Sequence, residues 1–293
     1  MQSPFKKVIV YDLETGGLDF KTNAITEIAM VVIDLETLKV EDTFTTIIKP
    51  YFDLELRSGD SLKEAKAIFK AVAIKDGETK IPTLSYKGQR LTIKDLDTIA
   101  EDVAMFDEKL EVIGTKLNHS QILKLEADNN LGDISKLYFD KTYNPAAMNV
   151  THMTREMLEG GVNLQDAIKG CADFISKYTI GNAKPILAGH NIKKFDNPFL
   201  EKAFEDQDYD LYKMINEVQM IDTLEWSRLR WFDAPSFSLG VCCNAVGVEL
   251  KEAHRALPDT IANAEFLIAM LKGLRGEGSQ ESTYEKRKFK FNF

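Results

Sequence analysis

Two carboxylates, Asp12 and Glu14, stand directly after an apolar run at residues 8–10 of the 293-residue chain. If this segment is a buried strand, Asp12 and Glu14 share one face, because successive side chains of a strand point to opposite sides. Two ionised carboxylates at this spacing repel each other unless a cation lies between them. Their oxygens suit a hard cation such as Mg²⁺ or Mn²⁺. The structural alternative is a solvated strand end before a turn at 15–17, which reads Thr-Gly-Gly.

Three residues farther along the chain could complete a metal site. Asp196 follows a predicted strand at 184–191 and opens a predicted helix, and Asp259 lies in the first turn of the last long predicted helix. His254 precedes Asp259 in a loop. Each aspartate has a structural alternative, since Asp is favoured at helix N-termini as a cap and by the helix dipole. The order of the four carboxylates and the histidine, together with their supporting elements, favours a catalytic set.

Three motifs resemble those of the DEDDh 3′–5′ exonucleases, a family of the ribonuclease-H-like superfamily that includes the proofreading epsilon subunits of bacterial replicases. The segment "YDLETGGL" resembles the first exonuclease motif, "GHNIKKFDNPFL" the second and "HRALPDT" the third. The resemblance covers about residues 1–50 and 144–273. It implies an α/β fold in which a ribonuclease-H-like mixed sheet is flanked by helices.

The resemblance also implies roles for the five residues. Asp12 would bridge two divalent metal ions, Mg²⁺ or Mn²⁺, while Glu14 and Asp259 would hold the ion on the side of the nucleophile. Asp196 would act directly or through water. His254 would be the general base that takes a proton from the attacking water, a role that suits a histidine because its ordinary pKa is about 6.5.

Neighbouring residues are predicted to bind the terminal nucleotide. The backbone N–H groups of residues 15–17 would approach it, Leu18 and Phe195 would pack against its base, and Asn191 would make a polar contact. The structural alternatives are a turn for the glycines, core packing for Leu18 and Phe195, and a loop hydrogen bond for Asn191. We favour binding for Thr15 and Gly16 and core packing for Phe195. The predicted substrate-binding residues are Thr15, Gly16, Gly17, Leu18, Asn191 and Phe195.

The pattern of elements divides the chain into three parts. Strands are predicted at 7–14, 25–34 and 43–48, and an alternation of helices and strands resumes at about 144. Helical spacing between them predicts helices at 61–74, 92–117 and 120–129. The predicted domains are an exonuclease domain at 1–50 and 144–273, a mostly helical insertion at 51–143, and a C-terminal tail at 274–293.

Composition limits the environment and the partners. The chain is 44% hydrophobic and 28% charged, which is typical of a soluble globular protein, and it has three cysteines without a CxxC pair. The sequence has no apolar run long enough to cross a bilayer and no signal-peptide pattern, so we expect a cytoplasmic protein without a membrane partner. The net charge of −9 disfavours a broad basic surface for nucleic acid and favours a local, metal-neutralised site.

The last ten residues, "YEKRKFKFNF", carry four basic residues and one acidic residue, and three phenylalanines alternate there with other residues. This segment could dock on a polymerase or a sliding clamp, stack on single-stranded nucleic acid, or fold back on the protein. We prefer a protein partner among the functional roles. Disorder or self-docking is the structural alternative.

These observations lead to one expectation and two alternatives. We expect a metal-dependent 3′–5′ exonuclease that releases nucleotides from DNA 3′ ends, with proofreading for a separately encoded polymerase as one role. The first alternative is the same chemistry on RNA 3′ ends. The second is a non-catalytic interaction module with this fold, and the intact set of five residues argues against it.

Overall fold

The computed structural model describes residues 6–51, 83–86, 89–91, 111–113, 139–140, 142–216, 219–251 and 254–277. The chain divides into two compact units. The larger unit comprises Met1–Lys21, Ile25–Lys49 and Ala146–Phe293, and the smaller comprises Thr22–Ala24 and Pro50–Pro145.

The described strands and helices are numbered here in chain order. The strands are β1 (Lys7–Thr15), β2 (Ile25–Asp34), β3 (Lys39–Ile47), β4 (Thr83–Tyr86), β5 (Gln89–Leu91), β6 (Glu111–Ile113), β7 (Ile186–Gly189) and β8 (Ile221–Asp222). The helices are α1 (Pro145–Val150), α2 (Arg155–Glu159), α3 (Leu164–Lys177), α4 (Asp196–Glu205), α5 (Leu211–Met214), α6 (Thr223–Arg230), α7 (Leu239–Asn244) and α8 (Ala256–Leu274).

A five-stranded mixed sheet with the order β3-β2-β1-β7-β8 organises the larger unit. β1, β2 and β3 pair antiparallel, whereas β7 pairs parallel to β1 and β8 pairs parallel to β7. The carboxyl ends of the three parallel strands therefore meet at one edge of the sheet. β1 is central, and its apolar run Val8, Ile9 and Val10 is fully buried, as expected for a strand that is covered on both faces.

Helices cover both faces of this sheet. On one face, Ala264 and Leu267 of α8 pack against Val8 and Val10 of β1. On the other face, Phe174 of α3 contacts Phe44 of β3, with ring centroids 5.6 Å apart. The prediction of a mixed sheet flanked by helices is confirmed.

Local signals explain several element boundaries. Asn163 caps α3 by accepting a hydrogen bond from the Asp166 N–H at 2.8 Å, as is favoured for Asn at this position. Pro198 lies in the first turn of α4, where its missing N–H costs no intrahelical hydrogen bond.

Other boundaries were predicted wrongly or not at all. β3 begins at Lys39, four positions before the predicted start at 43, because its whole length pairs with β2. The short helices α1 and α5 were not predicted. They span only 6 and 4 residues, which is too short to show a hydrophobic period.

The smaller unit contains a three-stranded antiparallel sheet with the order β5-β4-β6. The helix predicted over 92–117 is wrong at Glu111–Ile113, which forms β6 and pairs with β4. Sheet pairing overrides the helical spacing there, since Val112 and Ile113 are β-branched. The helices predicted at 61–74 and 120–129 and the segment 284–293 lie outside the described residues, so a mostly helical insertion stays a prediction. Within the described ranges, no helix is both long and apolar enough to span a membrane.

Candidate active site

Three carboxylates converge at the carboxyl end of β1. Asp12, Glu14 and Asp259 each offer an oxygen, and these oxygens lie within 4.8 Å of one another. We call these three residues the carboxylate cluster. Asp12 and Glu14 share one face of β1, as their spacing predicted, while Asp259 lies in the first turn of α8.

The packing of α8 brings Asp259 to β1. Ala264 and Leu267 of α8 lie on Val8 and Val10, in the first half of β1, so the first turn of α8 reaches the opposite end of the strand. These apolar contacts of the core therefore direct the first turn of α8, with Asp259, toward the end of β1 that carries Asp12 and Glu14.

Asp196 lies at the same end of β1, at the start of the helix that follows β7. It is the first residue of α4 and is only 3% exposed. Its Oδ1 accepts a hydrogen bond from the Leu13 N–H at 3.1 Å, between Asp12 and Glu14 along the strand. The N-cap position of α4 is Phe195, which makes no side-chain cap, so the alternative of a capping aspartate does not describe Asp196. Asp196 is not part of the group whose oxygens lie within 4.8 Å of one another.

Burial makes the charged forms of these carboxyl groups unfavourable. Burial, and then the neighbouring Asp196 and Glu14, raise the pKa of Asp12 well above its ordinary value. Burial, with Asp259 and Glu27 nearby, raises the pKa of Glu14 to about 8. Burial likewise raises the pKa of Asp196 to about 7, and it raises the pKa of Asp259. A cation between these groups would remove the repulsion that favours their protonated forms.

The donor set fits a divalent cation. All three members of the carboxylate cluster offer hard oxygen ligands, which Mg²⁺ and Mn²⁺ prefer. Asp259 Oδ1 is buried, and no hydrogen-bond partner for it is found in the described part of the chain. A buried carboxylate oxygen without a partner is costly, and a metal ion would satisfy it.

The backbone of His254 is hydrogen-bonded to one member of the carboxylate cluster, Asp259. Its N–H donates to Asp259 Oδ2 at 3.1 Å, and its φ of 71° places it in the left-handed region. This turn leaves the side chain exposed at the start of α8. The five-residue spacing to Asp259 therefore reflects a loop that folds back on the first helical turn.

The predicted nucleotide-binding residues after β1 form a turn. Thr15 is buried, and its Oγ1 donates to the Gly17 carbonyl at 2.7 Å. Gly16 lies within this turn, and Leu18 follows it with 86% of its surface exposed. The structural alternative of core packing is therefore wrong for Leu18. The structural alternative of a turn is present at residues 15–17. Their contacts with a nucleotide remain predictions.

Asn191 and Phe195 lie on the loop between β7 and α4. Asn191 has a φ of 66°, and its N–H donates to Asp222 Oδ1 at 3.0 Å. Phe195 is half-buried and packs on Phe199, with ring centroids 5.4 Å apart. A loop hydrogen bond and partial core packing are thus present at these positions, and nucleotide contacts remain predictions.

Glu27 and Arg255 lie at the site but were not predicted from the sequence. Glu27 lies on β2 directly opposite Glu14 and is 3% exposed. Arg255 Nε and a terminal guanidinium nitrogen donate to the two Glu27 oxygens at 3.1 and 3.2 Å. The signal was a single carboxylate inside the apolar strand "ITEIAMVV", which needs a partner when buried.

Asp222 was also missed, although it organises the loop that leads to Asp196. It is 3% exposed, and its oxygens accept backbone N–H groups of Asn191 at 3.0 Å and Lys193 at 3.3 Å. It also accepts from Leu224 at 3.0 Å as the N-cap of α6. One carboxylate thus joins the β7–α4 loop to the start of α6.

Comparison with known proteins assigns the chain to a family. A family model described as an exonuclease matches residues 93–267, which is more than half of the chain and includes Asp196, His254 and Asp259. The PolC-type DNA polymerase III of Bacillus subtilis (strain 168) is 28% identical over 183 residues, covering 60% of this chain and 11% of that protein. The chain therefore spans about a tenth of the length of this relative.

Solved structures share the fold. A zinc-bound form of E. coli exonuclease I in complex with single-stranded DNA aligns with a TM-score of 0.53 and 15% identity, over 92% of this chain and 41% of that one. A 3′-exonuclease described as recognising a histone mRNA stem-loop aligns with a TM-score of 0.51 and 12% identity, over 93% and 84% of the two chains. From its matched sequence and its shared fold, the chain belongs to the exonuclease family, among the DEDD-type 3′–5′ exonucleases.

Proposed function

We propose that this chain is a metal-dependent 3′–5′ exonuclease that releases nucleotides from DNA 3′ ends. The observation that carries the proposal is the convergence of Asp12, Glu14 and Asp259, whose oxygens lie within 4.8 Å of one another. Asp196 adds a fourth carboxylate, itself buried, at the same strand end through its bond to the Leu13 N–H. Such a concentration of negative charge is unfavourable without cations and is suited to phosphodiester hydrolysis with them.

The protein residues would divide the work as follows. Two divalent ions, Mg²⁺ or Mn²⁺, would when bound stabilise the attacking and leaving oxygens of the phosphodiester. Asp12, Glu14 and Asp259 would hold them, with Asp196 acting directly or through water. The turn at residues 15–17 would present backbone N–H groups to the terminal nucleotide.

His254 would be the general base. Its side chain is exposed next to the carboxylate cluster, and its backbone N–H is bonded to Asp259 Oδ2 at 3.1 Å. This bond fixes the main chain of the base relative to a proposed metal ligand. The imidazole could then take a proton from water that attacks the phosphorus.

DNA is the preferred substrate because the matched polymerase relative is a DNA polymerase. Proofreading in association with a polymerase fits the same likeness. RNA 3′ ends are the alternative substrate, since phosphate and terminal-sugar contacts alone do not distinguish the two. The proposed docking of a polymerase or clamp concerns residues 284–293, which lie outside the described ranges.

A side-by-side degradation assay tests this function. Single-stranded DNA and RNA of the same sequence, labelled at the 5′ end, are incubated with the protein and Mg²⁺ or Mn²⁺. We expect stepwise shortening of DNA from the 3′ end, and EDTA should abolish it. Asp12→Asn, which keeps the side-chain volume, should lower the rate by at least about a thousandfold, by analogy with the loss of other catalytic groups.

Asp173→Asn is the matched control, because Asp173 lies exposed on α3 in an i,i+4 pair with Lys169. This variant should degrade DNA at the wild-type rate. Undiminished release by Asp12→Asn would contradict the assignment. Faster shortening of RNA than of DNA would move the function to the alternative substrate.

A further inference from the structure

The ion pair between Glu27 of β2 and Arg255 lies outside the proposed catalytic set but contacts two of its members. Glu27 lies opposite Glu14 in the sheet, and the Arg255 carbonyl accepts from the Asp259 N–H. Glu27 accepts three hydrogen bonds from consecutive residues. Two come from the Arg255 guanidinium at 3.1 and 3.2 Å, and the third comes from the Ala256 N–H at 3.3 Å. The paired bonds form a bidentate fork, the most directional of the ion-pair geometries.

We propose that Glu27 and Arg255 are positioning residues for the proposed metal-dependent reaction, holding His254 and Asp259 in place against Asp12 and Glu14. We call the pair the Glu27–Arg255 clamp. This inference rests on the proposed function, because it assigns the pair to that site.

The clamp fixes the start of α8. Arg255 is the N-cap residue of α8, but its own side chain makes no cap bond there. Glu27 supplies the missing acceptor from a neighbouring strand, since it binds the N–H of Ala256, the first residue of the helix. A carboxylate at this position also interacts favourably with the positive end of the helix dipole.

The start of α8 carries both groups that the clamp would position. The Asp259 N–H donates to the Arg255 carbonyl at 3.1 Å, and the His254 N–H donates to Asp259 Oδ2 at 3.1 Å. Arg255 is thus bonded through its backbone to the residue that carries the ligand, and it directly follows the proposed base. A shift of Arg255 away from β2 would move His254 and Asp259 together.

The other end of the clamp touches the strand that carries Glu14. Glu14 and Glu27 are direct partners in the β1–β2 register, and both are buried. Like charges directly opposite each other are unfavourable in a sheet. The guanidinium of Arg255 compensates Glu27, so that Glu14 remains free for a metal ion.

General anchoring of α8 does not depend on the clamp. Farther along the helix, Ala264 and Leu267 pack on β1, and Phe266 and Met270 pack against Trp231 and Cys243. These contacts should keep the helix docked when the clamp is removed. We therefore expect a local displacement of the first turn, with the rest of α8 in place.

Metal affinity and kinetics of clamp variants test the proposal. Arg255→Met removes the charge and the fork, Arg255→Lys keeps the charge alone, and Glu27→Gln keeps the shape of the carboxylate. Mn²⁺ binding is measured by calorimetry. The kinetic constants kcat and KM are measured on a short DNA oligonucleotide, and the stability of the fold is measured by thermal unfolding. Arg155→Met is the matched control, since Arg155 pairs with Glu159 on the exposed face of α2.

We expect Arg255→Met to lose about 10–100-fold in Mn²⁺ affinity and in kcat, with a smaller change in KM, as for residues that orient metal ligands. Arg255→Lys should recover part of both. Adding Glu27→Gln to Arg255→Met should cost less than the sum of the single changes, because the two residues act as a unit.

Two outcomes would overturn the clamp. One is an Arg255→Met protein that binds Mn²⁺ and turns over like Arg155→Met. The other is a loss of metal affinity that follows the thermal midpoint in all three variants, which would make the pair a general anchor. If the wild-type protein degrades no nucleic acid, the proposed function fails, but the Mn²⁺ affinities still decide whether the clamp positions Asp259.

Discussion

The backbone N–H of Leu13 donates to the side chain of Asp196 across 3.1 Å, and this bond joins the middle of the "DLE" segment of β1 to the first turn of α4. Leu13 stands between the two carboxylates of β1, so Asp196 is tied to their backbone. The carboxylate of Asp196 therefore has a structural role, as acceptor for the Leu13 N–H, as well as its proposed catalytic role.

Two substitutions separate these roles of Asp196. Asp196→Asn keeps an oxygen that can accept from Leu13, whereas Asp196→Ala leaves the buried N–H without its acceptor. We expect both variants to lose at least about 100-fold in nuclease activity. Only the alanine variant should lose about 1–3 kcal/mol in the free energy of unfolding, measured in urea with EDTA. Wild-type activity of Asp196→Asn would leave Asp196 with the structural role alone.

The raised pKa values make the stability of the metal-free protein fall with increasing pH. Glu14 has a pKa of about 8 in the folded chain, against an ordinary value of 4.5. Its contribution to stability is fully present below its unfolded-state pKa and is lost as pH rises through the folded value. In EDTA, the urea midpoint of the wild-type protein should therefore fall more steeply than that of Glu14→Gln between about pH 5 and 8, the interval between the ordinary and the folded pKa of Glu14. Equal slopes would show that Glu14 is ionised at neutral pH without metal.

Metal binding should release protons for the same reason. Near neutral pH, Glu14 and Asp196 are partly protonated, since their pKa values are about 8 and about 7. Mn²⁺ must displace these protons, so its affinity should rise from pH 6 to pH 8. Calorimetry in two buffers of different ionisation enthalpy measures the number released. An affinity that does not change with pH, together with no proton release, would contradict the pKa assignments.

A buried hydroxyl, Thr223 Oγ1 at the start of α6, links that helix to the end of β7 and to α8. It lies 3.0 Å from His190 Nδ1, 3.1 Å from the Gly189 carbonyl and 2.9 Å from Asn263 Oδ1. β7, α6 and α8 meet there. Thr223→Val keeps the shape but leaves buried polar atoms without this partner, and should cost about 1–3 kcal/mol in the free energy of unfolding. Thr43→Val, at an exposed position of β3, is the control and should change stability by less than about 0.5 kcal/mol.

Leu18 offers a test of base packing. It is 86% exposed at the end of the 15–17 turn, and Leu229 on α6 is similarly exposed at 83%. Leu18→Ala should leave stability unchanged but raise KM for a short DNA oligonucleotide several-fold, because packing on a base contributes about 1–3 kcal/mol. Leu229→Ala should change neither quantity. Equal KM values for the two variants would remove Leu18 from the nucleotide site.

The sequence predicted the strand that carries the site, because its signals are local. Two-residue alternation set Asp12 and Glu14 on one face of β1. Asp12 and Glu14 belong to the first motif and Asp259 to the third, and their oxygens come together in the structure. β6 could not be predicted, since the pairing of residues 111–113 depends on a distant strand.

The Glu27–Arg255 clamp shows why the supporting residues were harder to find. Glu27 interrupts an apolar strand, and its sequence gives no hint that the partner lies beyond residue 250. Asp222 is similar, because its bonds to the 190–195 loop depend on the parallel pairing of β7 and β8. Residues that bond to backbone groups from another element leave no periodic pattern in the sequence.

The placement of the carboxylate cluster on β1 and α8 has a consequence for biosynthesis. Asp12 lies 247 residues before Asp259 in the chain, so it is synthesised well before Asp259, which belongs to the last described helix. Because contacts between distant segments form late and domains fold as units, the cluster cannot assemble until α8 has been made and has docked on β1 and β2. A nascent chain that lacks α8 would expose a growing sheet but no complete set of the proposed metal ligands, so metal binding at the cluster would arise only after α8 has been made.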